Sequence, residues 1–194
     1  MIRLARPDDR RALYNVCLQT GQAGTDATGQ FDDDALLGSV YVGPYLELAP
    51  DTSFVLDLDG PKGYCLGVVD TQGFARMCEE LWWPPLRQRY PIDVPRRESD
   101  QAVVREIYEP PFAPASITED YPSHLHIDLL EEARGSGWGK RLVSHLLRDL
   151  EAAGSPGVHL VVAQSNEAAI RFYDRLGFGI ELALDDAFVM ARHF

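Results

Sequence analysis

Residues 134–141, Arg-Gly-Ser-Gly-Trp-Gly-Lys-Arg, follow a strand-like apolar run at His124–Leu130 and open an amphipathic helix-like run at Leu142–Leu150. A glycine-dense turn between strand and helix lets successive backbone N–H groups converge on one point, because glycine accepts the positive φ such a nest requires. The helix that follows adds its unsatisfied N-terminal donors and the positive end of its dipole. Arg134, Gly135, Ser136, Gly137, Trp138, Gly139, Lys140 and Arg141 therefore read as an anion cradle suited to a pyrophosphate, with local positive charge. Spacing narrows the ligand. A nucleotide-triphosphate loop needs Gly, four residues, then Gly-Lys-Ser/Thr, and here arginines occupy both the first glycine and the hydroxyl positions. A dinucleotide loop needs G-x-G-x-x-G, whereas this segment reads G-x-G-x-G. The plain alternative is a turn that binds nothing.

Upstream of the turn, alternation along His124-Leu125-His126-Ile127-Asp128-Leu129-Leu130 puts His124, His126 and Asp128 on one strand face and the apolar residues on the other. Three titratable groups in a row must meet a cleft, a partner or solvent, since burying them unpaired is costly. Asp128 or His126, directly or through water, is suited to deprotonating an amine, which is not nucleophilic as the alkylammonium. Mutual hydrogen bonding with no catalytic role is the alternative. A zinc site of the His-x-His-x-Asp kind is disfavoured, because His145, His159 and His193 have no sequence neighbour that completes it. No metal is expected.

Downstream, Gln164-Ser165-Asn166 follows a β-rich run at 158–163 and offers an N-cap. Ala169, Phe172 and Leu176 make an apolar stripe, Tyr173 sits at its boundary, and Gly177 stops the helix. The whole C-terminal third reads strand 124–130, turn, helix 138–153, strand 158–163, helix 167–176, then strands 178–184 and 187–192. The strand–helix–strand unit implies a parallel crossover and the last pair an antiparallel hairpin, giving an α/β fold with a mixed sheet.

The rest of the chain is organised around that unit. Ile2–Ala5 reads as a strand, and Pro7-Asp8-Asp9 opens a helix to Thr20 whose buried face is Leu13, Val16 and Cys17. A loop spans 21–29, and Asp32–Asp34 opens a shorter helix toward Val42. Runs at 53–58 and 63–70 form a hairpin through Asp59-Gly60-Pro61-Lys62. A helix at 73–83 is expected to stop at Pro84-Pro85. The proline-rich stretch 84–122 has weak periodicity, with one helix at 99–108. It reads as a substrate-side insertion packed by Tyr90, Tyr108, Phe112 and Tyr121.

The 194 residues suit a single domain, 45% of them hydrophobic and 25% charged. No apolar run approaches the ~18–20 residues of a membrane span. The N-terminus lacks a signal-peptide pattern. Cys17, Cys65 and Cys78 fit no paired spacing, which suggests reduced thiols and a cytoplasmic protein. A net charge of −12 disfavours nucleic acid and anionic membranes as partners and mildly favours cationic ones.

The pattern Arg-x-x-Gly-x-Gly, at Arg134, Gly137 and Gly139, resembles the acyl-CoA loop of the GNAT N-acetyltransferase superfamily. The downstream Asn166, Ala168-Ala169-Ile170 and Phe172-Tyr173-x-x-Leu176-Gly177-Phe178 resemble the second half of the same fold. The resemblance implies a mixed, mostly antiparallel central sheet with a parallel βαβ crossover and flanking helices. It implies acetyl-CoA as co-substrate, held by the 134–141 turn, by the backbone of Leu129, Leu130 and Glu131, and by Asn166 and Phe172. It also implies Tyr173 as the acid that protonates the departing thiolate, and an amine as acceptor by direct attack. A narrower resemblance covers nearly the whole chain. Gly24-Thr25-Asp26, Gly43-Pro44-Tyr45-Leu46, Gly63-Tyr64-Cys65-Leu66-Gly67-Val68-Val69-Asp70 and Tyr121-Pro122-Ser123-His124-Leu125 are similar to the acetyltransferase-like C-terminal domain of O-GlcNAcase and its stand-alone bacterial relatives. In the animal domain the phosphate loop is degraded; here it is intact. Asp26, Asp70 and Asp128 are acids shared with that family and are expected to line the acceptor pocket. The rival reading is a non-catalytic acyl-CoA-binding or protein-interaction module.

Overall fold

The computed structural model describes every residue except Pro95 and Phe112, so the expected packing role of Phe112 lies outside the described residues. Among the described residues one sheet runs in the order β1-β2-β3-β4-β5-β7-β6. Its strands are β1 (Ile2–Leu4), β2 (Ser53–Asp57), β3 (Pro61–Val68), β4 (Ser123–Leu129), β5 (Gly157–Ala163), β6 (Gly179–Ala183) and β7 (Ala187–His193). Every neighbouring pair is antiparallel except β4 and β5. That parallel pair holds only two rows, Ser123↔Val158 and His124↔His159. β3 grips β4 from Gly63↔Leu129 to Val68↔His124, and β7 grips β5 along its whole length. Each strand follows its antiparallel partner, so β4 and β5 diverge beyond His124 and leave a wedge in the middle of the sheet.

Six helices lie against one face: α1 (Arg10–Thr20), α2 (Leu36–Tyr41), α3 (Gly43–Leu48), α4 (Thr71–Met77), α5 (Trp83–Arg89) and α6 (Glu98–Tyr108). Leu13, Val16, Leu36 and Val104 pack there with Tyr64, Leu66 and Val68 of β3. After the short α7 (Ala115–Thr118), α8 (Trp138–Ala152) forms the β4-to-β5 crossover on the opposite face, followed by α9 (Glu167–Asp174). Leu142, Leu146 and Leu150 of α8 are fully buried against Leu56, Cys65 and Leu125, each contributing about 1.5–3 kcal/mol. No helix of the described residues is long and apolar enough to cross a membrane. Cys17, Cys65 and Cys78 are all buried free thiols.

The structure departs from expectation around the prolines. Pro84-Pro85 does not end the helix expected at 73–83. That helix runs from Thr71 to Met77, widens into a π-helical turn at Cys78–Trp82, and continues as α5 with both prolines in its first turn. A first-turn proline lacks only an N–H that had no intrahelical acceptor, so it is tolerated there. For the same reason Pro44 sits in the first turn of α3, a helix that periodicity did not reveal. The insertion at 84–122 is accordingly more ordered than its composition suggests, carrying α5, α6 and α7.

Candidate functional site

The wedge between β4 and β5 opens a cleft of about 650 Å³. Ile127, Asp128 and Leu129 line it from β4, Gly135, Gly137, Gly139 and Lys140 from the turn, and Asn166, Phe172 and Tyr173 from the region of α9. Gly135 and Gly137 have φ of +76° and +78°. A β-carbon at either would meet nothing within 4 Å, so conformation rather than space requires glycine there. Gly139 is different: its φ is ordinary, and a β-carbon would stand 3.2 Å from both Leu129 Cδ1 and Phe172 Cζ. It lets α8 approach the end of β4 and α9.

The consequence of that backbone is a run of donors. Among the described residues, none of the six successive amides from Gly135 to Lys140 has a protein acceptor, and the first bond of α8 is Arg141 N–H to Gly137 carbonyl at 3.2 Å. These N–H groups and the start of a 15-residue helix form an anion cradle. Two arginines flank it. Arg134 donates through Nε to the Leu129 carbonyl and through Nη2 to the Gly24 carbonyl, both at 2.8 Å. It thereby ties the 23–25 loop over the end of β4, and its side chain also lines the cleft. Arg141 lies over the Trp138 ring, 4.8 Å from its centre.

Alternate residues of β4 direct their backbone groups to opposite neighbours. The Leu130 amide donates to the Lys62 carbonyl at 2.9 Å, and its carbonyl accepts from Ala133. Neither polar group of Leu130 is therefore left for strand-like pairing with a ligand. Glu131, which opens a single 3-10 turn, gives its carbonyl to Arg134. On β4 the backbone edge facing the wedge belongs to Ile127 and to Leu129, the latter one of the three residues expected there. Across the cleft, Asn166 Oδ1 accepts the Ala169 amide at 3.1 Å and caps α9. Its Nδ2 faces Gly24, where a β-carbon would lie 3.7 Å away. The Tyr173 ring is buried beside Phe178, and burial holds its hydroxyl above the ordinary tyrosine range, so it remains a proton donor at neutral pH.

The polar face of β4 divides in two. His124 is enclosed, with Nε2 2.7 Å from Tyr45 Oη and Nδ1 2.8 Å from Thr71 Oγ1. Burial pushes its imidazole down to about 3, so it is neutral and structural. His126 and Asp128 form a second group, with His126 Nε2 3.2 Å from Asp128 Oδ2 and side chains 36% and 20% exposed. The Tyr64 hydroxyl donates to Asp128 Oδ2 at 2.5 Å and lies 3.1 Å from His126 Nε2. Beside them, the Tyr41 hydroxyl donates to Glu106 Oε1 at 2.7 Å, and the Tyr41 ring is 6.4 Å from that of His126. Burial raises the Glu106 carboxyl, partly offset by that bond.

Of the three acids expected to line an acceptor pocket, only Asp128 lines the cleft. Asp26 is exposed and spends its carboxylate on the amide and hydroxyl of Thr28. Asp70 is largely exposed at the start of α4, 3.8 Å from Arg76. Tyr64, Tyr41 and Glu106 escaped the sequence reading. Tyr64 was detectable only through its place opposite Asp128, a register that no local pattern encodes. Among the described residues no three His, Cys, Asp or Glu side chains gather as a metal site.

Comparison with known proteins agrees with this geometry. Residues 50–178 match the acetyltransferase (GNAT) family, well over half of the chain. The chain is 29% identical over 180 residues to protein O-GlcNAcase of Rattus norvegicus, a match covering 91% of this chain but only 20% of that protein. The chain thus corresponds to about one fifth of that relative's length. Among solved structures, SsHAT superposes with a TM-score of 0.92 at 35% identity, covering 100% of this chain and 97% of its own. The phosphinothricin acetyltransferase of Sinorhizobium meliloti, solved in complex with AcCoA, shares the fold with a TM-score of 0.60 at 17% identity, covering 100% and 88%. The chain belongs to the acetyltransferase (GNAT) family.

Proposed function

We propose that this protein transfers the acetyl group of acetyl-CoA to an amine within a ternary complex. The observation that carries the reading is the cleft between β4 and β5, with six unsatisfied amides at one end and Tyr173 and Asp128 along its walls. The amides of Gly135–Lys140 and the Lys140 ammonium fit a pyrophosphate. The wedge-facing backbone of Ile127 and the amide of Leu129, whose carbonyl is held by Arg134, fit the amide-bearing arm that follows, while Phe172 and the cap at Asn166 wall the opposite side. A fold relative solved with AcCoA supports the same choice of ligand.

Asp128 and His126 act as a pair that receives a proton from the acceptor. As the amine nitrogen bonds to the acetyl carbon, the carbon–sulfur bond breaks, the amine proton passes to the pair, and the Tyr173 hydroxyl protonates the sulfur. Positioning the two substrates supplies much of the acceleration, and base and acid contribute about 10²–10⁴-fold each. The acceptor enters over the 84–122 insertion, past Tyr41 and Glu106. Carboxylates there and a net charge of −12 favour an amine that arrives as a cation. Three buried free thiols support a reducing compartment, the cytoplasm, as the place of action.

The test is Tyr173→Phe, followed by thiol release from acetyl-CoA. The expected result is a fall in kcat of about 10²-fold or more with the acetyl-CoA KM within about twofold. Binding weakened about tenfold at unchanged kcat makes Tyr173 a packing residue. Acetyl-CoA binding without thiol release across an amine panel favours the non-catalytic module instead.

A further inference from the structure

Tyr64 is fully buried, 0% exposed, and does not line the cleft, so it cannot touch a substrate. It stands directly opposite Asp128 in the β3–β4 register, which puts both side chains on one face. Its hydroxyl has a single proton, and the 2.5 Å bond to Asp128 Oδ2 uses it. The remaining lone pairs face His126 Nε2 at 3.1 Å, an arrangement satisfied when Nε2 carries the imidazole proton. Asp128 Oδ2 is thereby committed. Oδ1 of the same carboxylate has no protein partner among the described residues, and neither has His126 Nδ1. Behind the phenol lies the buried thiol of Cys17, which burial pushes up to about 12, so no competing charge reaches it from that side.

We propose that Tyr64 is the positioning residue of the Asp128–His126 pair, clamping Oδ2 and Nε2–H so that Oδ1 and Nδ1 are the atoms left to meet the acceptor amine. This rests on the acetyl-transfer reading above. A phenyl ring at 64 fills nearly the same volume but leaves Oδ2 and Nε2 without their shared partner, held only by their own 3.2 Å contact.

The experiment compares wild type, Tyr64→Phe, Asp128→Asn and the double variant in acetyl-CoA-dependent thiol release. The acceptors are lysine amide, glucosamine, spermidine and tyramine. Tyr64→Phe is expected to lower kcat about tenfold or more while the acetyl-CoA KM stays within about twofold. In the Asp128→Asn background the same substitution is expected to cost several-fold less than in wild type, because the part of its effect that runs through that carboxylate is gone. A folded Tyr64→Phe protein with kcat within about twofold of wild type overturns this proposal alone, as does an undiminished effect in the Asp128→Asn background. Wild type that binds acetyl-CoA but releases no thiol with any of the four amines overturns the acetyl-transfer reading and this proposal together. Imidazole ¹⁵N NMR of the wild-type protein keeps the question open to refutation should the variant not fold. His126 protonated on Nε2 and bare on Nδ1 is expected, and the opposite tautomer overturns the clamp.

Discussion

Mild acid distinguishes the structural histidine of β4 from the pair assigned to chemistry. His124 bonds through both ring nitrogens, and burial lowers it from the ordinary 6.5 to about 3, so the folded protein keeps it neutral where an unfolded chain protonates it. Its folded value is depressed, and the sign follows: this contribution to stability is complete above pH 6.5 and drains away as pH falls toward 3. Each pH unit in that window costs about 1.4 kcal/mol. At pH 5 the loss from His124 alone is therefore about 2 kcal/mol, a large share of a typical domain's stability. His159, whose ring lies 5.8 Å away and is also held low by burial, adds in the same direction. Urea unfolding at pH 7.5 and pH 5.0, for wild type and His124→Gln, measures the term. Glu106 and the other carboxylates change equally in both proteins and cancel. The wild type is expected to lose about 2 kcal/mol more than the variant between the two pH values. Equal losses refute the assignment, as does a His124 ring proton that titrates near 6.5 by NMR.

Gly137→Asp places a carboxylate in the anion cradle and an L-residue at φ +78°, a strain of about 1–2 kcal/mol. Acetyl-CoA binding should vanish in calorimetry, and unchanged affinity would sink the cradle assignment. Asn166→Ala removes the cap on the Ala169 amide and should cost about 1 kcal/mol in urea unfolding. No loss of stability would mean that water replaces the cap.

Local sequence carried a good deal of this site. The glycines at 135 and 137 announced a nest because positive φ is a property of single residues, and the structure has it at both. An N-cap at Ser165 or Asn166 and Gly177 as a helix stop were legible for the same reason; the structure takes Asn166 as the cap, and Gly177 has φ +85°. Alternation placed His124, His126 and Asp128 on one face of β4 correctly. It could not tell them apart. His124 became structural because Tyr45 and Thr71, distant in sequence, close on its two nitrogens. Prolines at 84 and 85 misled, since a proline that ends one helix and a proline that begins the next look alike until the chain's path is known.

What the sequence determined by itself is chemistry that a residue and its immediate neighbours carry. It placed a glycine nest between strand and helix, a tyrosine at the edge of a capped helix, and a strand with one titratable face. Only the tertiary structure decided where these meet. The wedge that forms the cleft exists because β3 and β7 hold β4 and β5 more extensively than the two hold each other. The Arg134 side chain is also a brace because a carbonyl 110 residues earlier lies within reach. Tyr64 came to stand over Asp128 through strand register, which is set by the summed pairing of the whole sheet and written in no short segment of the chain.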